Sequence, residues 1–476
     1  MATLSLLDLG FVVFENNTTP LHISGLMIVS PPAEQSDYAA HLHQSMLRGG
    51  PVQSPFDRVL DLGLTHLPRW QAAKYVDLSY HIRRSSLPEP GDHYQLLELV
   101  SRIHSYVLDR SRPLWEVWII DGLKDGKVAV LFKLHHSLAD GVRASKLFMR
   151  SCQTDPTQTE FVPFWATTEQ PDVTERQQHK QALLQSLLNP DLWLKQSKAS
   201  LGLLKLCSGF LRANAGSGLG LKMPFTAPHT PFNLSPERAR RVTLVSLPQH
   251  RFNQIAKLTG VTMNDVVLTV CDMALHRYLQ AHNWKEQKPL VALMPLNLRH
   301  GAGNETGVTN KMTLGLVEMG RSDDPPLRRL HSVRNSTEGI KYQALELHPD
   351  AYYQYAILVN ALSLLSGRLG LNHYLPPATN MLISNVPGVK ETLYFCGAKV
   401  EDVYPLSLLL PGQTLNITLL SYAGHLNFGF VCCRRSLPGF DVIGQYLKES
   451  LAALEQATLS EVAKVVRQKA VEFPVE

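Results

Sequence analysis

The apolar run Val128-Ala129-Val130-Leu131-Phe132-Lys133-Leu134 passes without a break into His135-His136-Ser137-Leu138-Ala139-Asp140-Gly141. The run predicts a buried strand that delivers two histidines, at its end, into a loop. A base, a carboxylate four residues on and a glycine that leaves room for a substrate's tether are what base-catalysed acyl transfer needs. The same residues also suit a capped turn, because Asp140-Gly141 favours one and a buried histidine is more often structural than catalytic. Seven residues leave both readings open.

The surroundings of this run predict a layered α/β domain. A capping pattern at Ser5-Leu6-Leu7-Asp8 opens a short helix, Thr19-Pro20 breaks it, and Leu21 to Val29 reads as a strand. Leu96 to Tyr106 reads as a helix, and Trp115 to Ile120 pairs with Lys127 to Leu134 as a hairpin across Asp121-Gly122-Leu123-Lys124-Asp125-Gly126. Val142 to Cys152 is helical. From about Asp155 to Ala227 the composition shifts to Pro/Thr/Gln-rich and then Gly-rich, as in a crossover between domains. Inside it Lys195, Lys198, Lys205 and Arg212 form one helical stripe and Leu192, Ala199, Leu203, Leu206 and Phe210 another. Such a helix suits either a lipid surface or a solvated basic face. Further strands are expected at Arg241 to Leu247, Val291 to Leu296, Met381 to Ser384, Leu415 to Ser421 and Leu426 to Cys432. Thr262 caps a helix reaching about Gln280, with Asp265 at its third position. A last amphipathic helix carries Phe440, Ile443, Leu447, Leu451 and Leu454 on one face. The expected domains are 1–154, a crossover over 155–230, and 231–476.

Composition narrows the function classes. With 476 residues, 44% hydrophobic and 18% charged, the chain is globular and large enough for two or three domains. A net charge of +5 is too small over this length to imply nucleic acid, and suits anionic headgroups or a phosphorylated ligand equally well. Cys152, Cys207, Cys271, Cys396, Cys432 and Cys433 form no Cys-x-x-Cys pair, which fits a reducing cytosol and not a structural zinc site. The N-terminus lacks a basic leader, and the best apolar stretch, Ala356 to Leu365, is short and holds Asn360. Membrane contact is therefore expected to be peripheral.

Several segments together resemble the bacterial wax ester synthase / diacylglycerol acyltransferases, within the chloramphenicol acetyltransferase-like superfamily. His135-His136-Ser137-Leu138-Ala139-Asp140-Gly141 is similar to the superfamily's HHxxxDG, which also occurs in peptide-synthetase condensation domains. Leu108 to Glu116 resembles the family's PLW region through Pro113-Leu114-Trp115, and Asn264-Asp265 its ND motif. Ile383-Ser384-Asn385-Val386-Pro387-Gly388 resembles SNVPGP, with Val389 in place of the final proline, and Thr19-Pro20-Leu21-His22 an N-terminal TPMH element. Pro438-Gly439 departs from a proline-aspartate pair that the family often has. These matches run from the first helix to the last strands.

The resemblance implies two chloramphenicol acetyltransferase-like α/β domains with the active site at their interface. It implies transfer of a long acyl group from acyl-CoA to a fatty alcohol or to diacylglycerol, without a cofactor, metal or acyl-enzyme. His136 would be the general base. Asp140 would hold the loop by pairing with an arginine, His135 would orient the loop or pack, and Gly141 would clear the pantetheine arm. Asn264 is the candidate oxyanion donor beside helix N-terminal amides, or a cap residue only; Asn385 and Asp265 are candidate substrate contacts. The implied setting is cytoplasmic, peripheral on a membrane or lipid inclusion. Two rivals stay open: a condensation-type catalyst using carrier-protein thioesters, and a non-catalytic lipid-binding protein on the same fold.

Overall fold

The computed structural model describes residues 2–3, 6–33, 35, 37–63, 68–166, 225–284, 288–297, 312–346, 366–370 and 374–472. The basic stripe at Lys195 to Arg212 and the apolar stretch Ala356 to Leu365 lie outside the described residues. Contacts group the chain into two compact units. Unit 1 takes Met1–Glu169, Leu234–His250 and Ser384–Gly444; unit 2 takes Gln170–Asn233, Arg251–Ile383 and Gln445–Glu476.

Unit 1 opens with β1 (Ala2–Thr3), α1 (Leu6–Phe14), β2 (His22–Ser30), α2 (Tyr38–Leu47), β3 (Arg58–Asp61), β4 (Arg69–Ala72), α3 (Leu78–His81) and β5 (Ile82–Ser86). It continues through α4 (His93–His104), β6 (Trp115–Asp121), β7 (Val128–His135), α5 (Gly141–Arg150) and β8 (Arg240–Pro248). Unit 2 follows with α6 (Gln249–Thr259), α7 (Met263–Ala281), β9 (Val291–Asn297), β10 (Met312–Glu318), α8 (Pro326–Glu346) and the start of β11 (Met381–Val386). The chain then returns to unit 1 with β12 (Tyr394–Phe395), β13 (Ala398–Leu406), β14 (Leu415–Tyr422) and β15 (His425–Cys433), before α9 (Ile443–Glu472).

The main sheet of unit 1 has the order β12-β13-β2-β7-β6-β5. The predicted hairpin is present, with Trp115 opposite Leu134 and Ile120 opposite Ala129. All eight residues of β7 are buried. On one face Leu96, Leu99, Val100 and Ile103 of α4 pack against Leu26, Ala129 and Leu131. The other face carries Met27, Val130 and Phe132 under α2, α5 and an aromatic cluster that includes Phe56, Trp115, Phe164 and Trp165. Alternate residues of one strand thus feed two cores. Lys133 is the only charge in that strand, and its ammonium donates to the carbonyls of Ile103 (2.9 Å) and Tyr106 (2.5 Å) at the end of α4. A cation satisfying the last carbonyls of a helix is favourable, and here it ties the strand to its covering helix. Burial pulls this lysine down to about 8.

Within unit 1, β13 pairs along most of the edge of β2, from Lys399 opposite Ser30 to Leu406 opposite Ser24. Without β13 that edge would leave buried backbone groups unpaired. A register shift between Val400 and Asp402, with Pro405 beyond it, disrupts the alternation that would have marked this strand in sequence. Also in unit 1, β15 pairs antiparallel with β14 and β8. In unit 2, β9 pairs antiparallel with β10 and parallel with β11. Among the described residues no single helix is long and apolar enough to cross a membrane.

Candidate active site

The loop after β7 is held on three sides. The His136 N–H donates to the Leu21 carbonyl (3.0 Å), the His135 N–H to the Leu114 carbonyl (2.9 Å) and the Leu138 N–H to the His135 carbonyl (3.0 Å). Thr19-Pro20-Leu21-His22 and Pro113-Leu114-Trp115 therefore act as backing for the histidines. Trp115 starts β6, and its indole N–H reaches the Phe56 carbonyl (2.9 Å) inside the aromatic cluster. His136 is partly exposed, and Phe11 of α1 stacks on its ring at 4.2 Å between centroids. Burial pushes this imidazole down to about 4, although the nearby Asp140 carboxylate pulls the other way. The ring is thus neutral near pH 7, as a proton acceptor must be.

His135 turns inward. The Ser137 N–H donates to its Nδ1 (3.2 Å), which places the ring proton on Nε2, 3.5 Å from Glu15 Oε1. The same Glu15 oxygen accepts the Leu21 N–H (2.9 Å), and Oε2 meets Arg110 Nη2 (3.1 Å). Arg110 also donates to the Val12 carbonyl (2.8 Å). Burial alone would raise Glu15, but His135, the Leu21 amide and Arg110 together hold its carboxyl below the usual range. His135 therefore holds the loop and does not line it. Glu15, braced by Arg110, holds His135 on one side and the N–H of Leu21 on the other; the sequence reading singled out neither residue.

Asp140 is exposed at the N-cap of α5, where its Oδ1 accepts the Arg143 backbone N–H (2.8 Å). This contact is a helix cap made through the backbone amide of Arg143. Gly141 is the first residue of α5, and a Cβ there would meet no atom within 4 Å. Packing inside the protein thus gives no reason for a glycine at this position.

The remaining candidates separate. Asp265 is buried and bonded through both oxygens: Oδ2 accepts from the Thr262 N–H (2.9 Å) and hydroxyl (2.7 Å), and Oδ1 from the Thr337 hydroxyl of α8 (2.7 Å). Both oxygens serve the cap of α7 and its tie to α8, a structural role for this carboxylate. Asn264 is exposed in the first turn of the same helix, within unit 2. Asn385 is half-buried in β11. In the turn that follows, a Cβ on Gly388 would lie 1.8 Å from the Ser421 carbonyl oxygen, so only glycine permits this approach to β14. Among the described residues no group of three His, Cys, Asp or Glu could hold a metal ion.

A second histidine pair lies behind the loop. His22 Nε2 donates to the His104 carbonyl (3.0 Å), and His104 Nε2 to the Ser407 carbonyl (3.2 Å), leaving His104 Nδ1 to accept from the Ser24 hydroxyl (3.0 Å). Burial, with the Lys133 charge, pulls His104 down to about 3 and His22 well below its ordinary value. Unfolded, each imidazole takes up a proton as the pH falls through about 6.5; folded, His104 and His136 do not at pH 5. Stability is therefore lost on acidification, by about 2 kcal/mol at pH 5 from each of these two groups. Thermal unfolding from pH 7.5 to pH 5 should show a falling midpoint, and a flat profile would contradict neutral burial of these rings.

The fold defines the class of protein first. The first condensation domain of the calcium-dependent antibiotic synthetase matches with a TM-score of 0.59 over 96% of each chain, at 12% identity, which is a likeness of fold alone. The wax ester synthase/diacylglycerol acyltransferase from Marinobacter aquaeolei VT8 matches with a TM-score of 0.74 and 29% identity over 96% of this chain and 100% of that one. A putative diacylglycerol O-acyltransferase of Mycobacterium tuberculosis is 36% identical over 95% of this chain and 99% of its own. The wax ester synthase/diacylglycerol acyltransferase catalytic domain matches residues 4–267 and the WS/DGAT C-terminal domain residues 308–455. The chain belongs to the wax ester synthase/diacylglycerol acyltransferase family, and it is an acyltransferase.

Proposed function

We propose that His136 is the general base for transfer of a long acyl group from acyl-CoA to a fatty alcohol or diacylglycerol. The neutral imidazole takes the proton of the acceptor hydroxyl as its oxygen attacks the thioester carbonyl. The carbon–sulfur bond then breaks and the same ring returns the proton to the departing thiolate, leaving an ester and free CoA. Direct attack requires no acyl-enzyme. The observation that carries this reading is the position of His136: partly exposed, stacked on Phe11, low in pKa and gripped through its own N–H by Leu21. Asp140 caps the helix that follows and keeps a negative charge near the ring, and the open space over Gly141 is where the pantetheine arm passes. Because both substrates are lipids, we read the protein as working peripherally at a membrane or inclusion surface.

The test follows thiol release and ester product together, with palmitoyl-CoA and either hexadecanol or dipalmitoylglycerol. The expected result is matched release of both, with an acid limb in kcat/KM well below pH 6.5. Turnover only with a carrier-protein thioester would establish the condensation-type rival. Lipid binding without any thiol release would establish the non-catalytic one.

A further inference from the structure

Unit 1 contains a cavity of about 540 Å³ walled by α4, the edge strand β5, the start of β8 and the residue after β15, and no residue of the 135–141 loop lines it. Four arginines, Arg102, Arg238, Arg240 and Arg434, face it together with one carboxylate, Glu98. Glu98 is already engaged, by Arg434 Nη1 at 3.1 Å and by Arg241 Nη2 at 3.4 Å. Arg240 is 3% exposed, yet among the described residues its guanidinium meets only backbone carbonyls, those of Glu237 and of Thr18 (2.7 Å). A buried guanidinium without a counter-charge is costly, and an anion in the cavity would offset that cost. Arg238 lies over the Tyr106 ring at 4.3 Å, and neither it nor Arg102 has an acidic partner among the described residues. Tyr94, 59% exposed, adds a free aromatic face to the wall.

Guanidinium forks match phosphate oxygens, and an exposed aromatic ring accepts a stacked base. The cavity is also tied to the proposed base. Arg240 holds the Thr18 carbonyl, and Leu21, three residues on, holds the His136 N–H. The two contacts are separated by three residues of chain, at most about 11 Å. We propose that this cavity takes the nucleotide end of the acyl donor, with its phosphates on Arg102, Arg238 and Arg240 and its adenine against Tyr94. The assignment rests on the reading of acyl-CoA as donor.

The test is the double variant Arg102→Gln/Arg238→Gln in the full chain. Loss of charge-assisted hydrogen bonds to phosphate should cut the preference for palmitoyl-CoA over palmitoyl-pantetheine, read as a ratio of kcat/KM, by at least ~10-fold. Calorimetry with adenosine 3′,5′-bisphosphate should show binding to the wild type that weakens by a similar factor in the variant. An unchanged ratio overturns the assignment. So does a variant that keeps the ratio but loses binding to phosphatidylglycerol vesicles, because the arginines would then serve a lipid headgroup. If the wild type turns over neither donor, acyl transfer is what fails. Bisphosphate calorimetry then decides the cavity by itself, and absence of wild-type binding overturns it.

Discussion

Replacing His136 with glutamine is expected to lower kcat by at least about 100-fold while leaving the thermal unfolding midpoint nearly unchanged. Glutamine fills much of the space beside Phe11 and keeps the backbone N–H that Leu21 accepts, so the loop has no reason to move. What it lacks is a nitrogen that can accept and return a proton. KM for the acyl donor should stay within a few-fold, since the ring acts on the transition state and contributes little to ground-state binding. Steady-state kinetics beside a melting curve decide the matter. A glutamine variant with more than a tenth of wild-type kcat would remove His136 from the role of base.

The second large effect is expected at Glu15. In Glu15→Gln the Leu21 N–H keeps an acceptor, but Arg110 loses its charge partner and His135 Nε2 its nearby carboxylate. Breaking a buried ion pair from one side commonly costs 3–5 kcal/mol; because Arg110 is about one-third exposed, about 2 kcal/mol is the expectation here. kcat should fall about 10-fold or more, because small displacements of a base are expensive, while KM changes little. The double variant Glu15→Gln/Arg110→Gln should be no less stable than Glu15→Gln, since it removes the orphaned cation. If the two losses simply add, the proposed coupling between these side chains is absent.

Much of this site was legible because its signals are local. An apolar run ending in two histidines gave both the strand and the loop, and Asp140 before Gly141 gave the start of α5. The parts that were missed depend on distance. Glu15 and Arg110 look like ordinary charges in their own windows, and only the fold brings them to His135 from 120 and 25 residues away. Lys133 has no partner within its own apolar strand, and its carbonyl acceptors come from the end of α4, about 30 residues earlier in the chain. Asp265 shows both cases at once: its capping role was legible locally, whereas its tie to Thr337 of α8, 72 residues on, was not. β13 escaped because a bulge and a proline erased its period.

The place of β13 also sets the timetable of assembly. β7 ends at His135, and its sheet is not finished until Leu406, 271 residues later, has been made. At ordinary ribosomal rates of ~5–20 residues per second, the β2 edge waits open for about 14–54 s. Pairing across such a sequence separation is slow, and an unpaired edge invites association with other chains. During that interval the nascent chain already carries its histidine loop but has no closed sheet behind it, so chaperone occupancy and synthesis rate become determinants of yield.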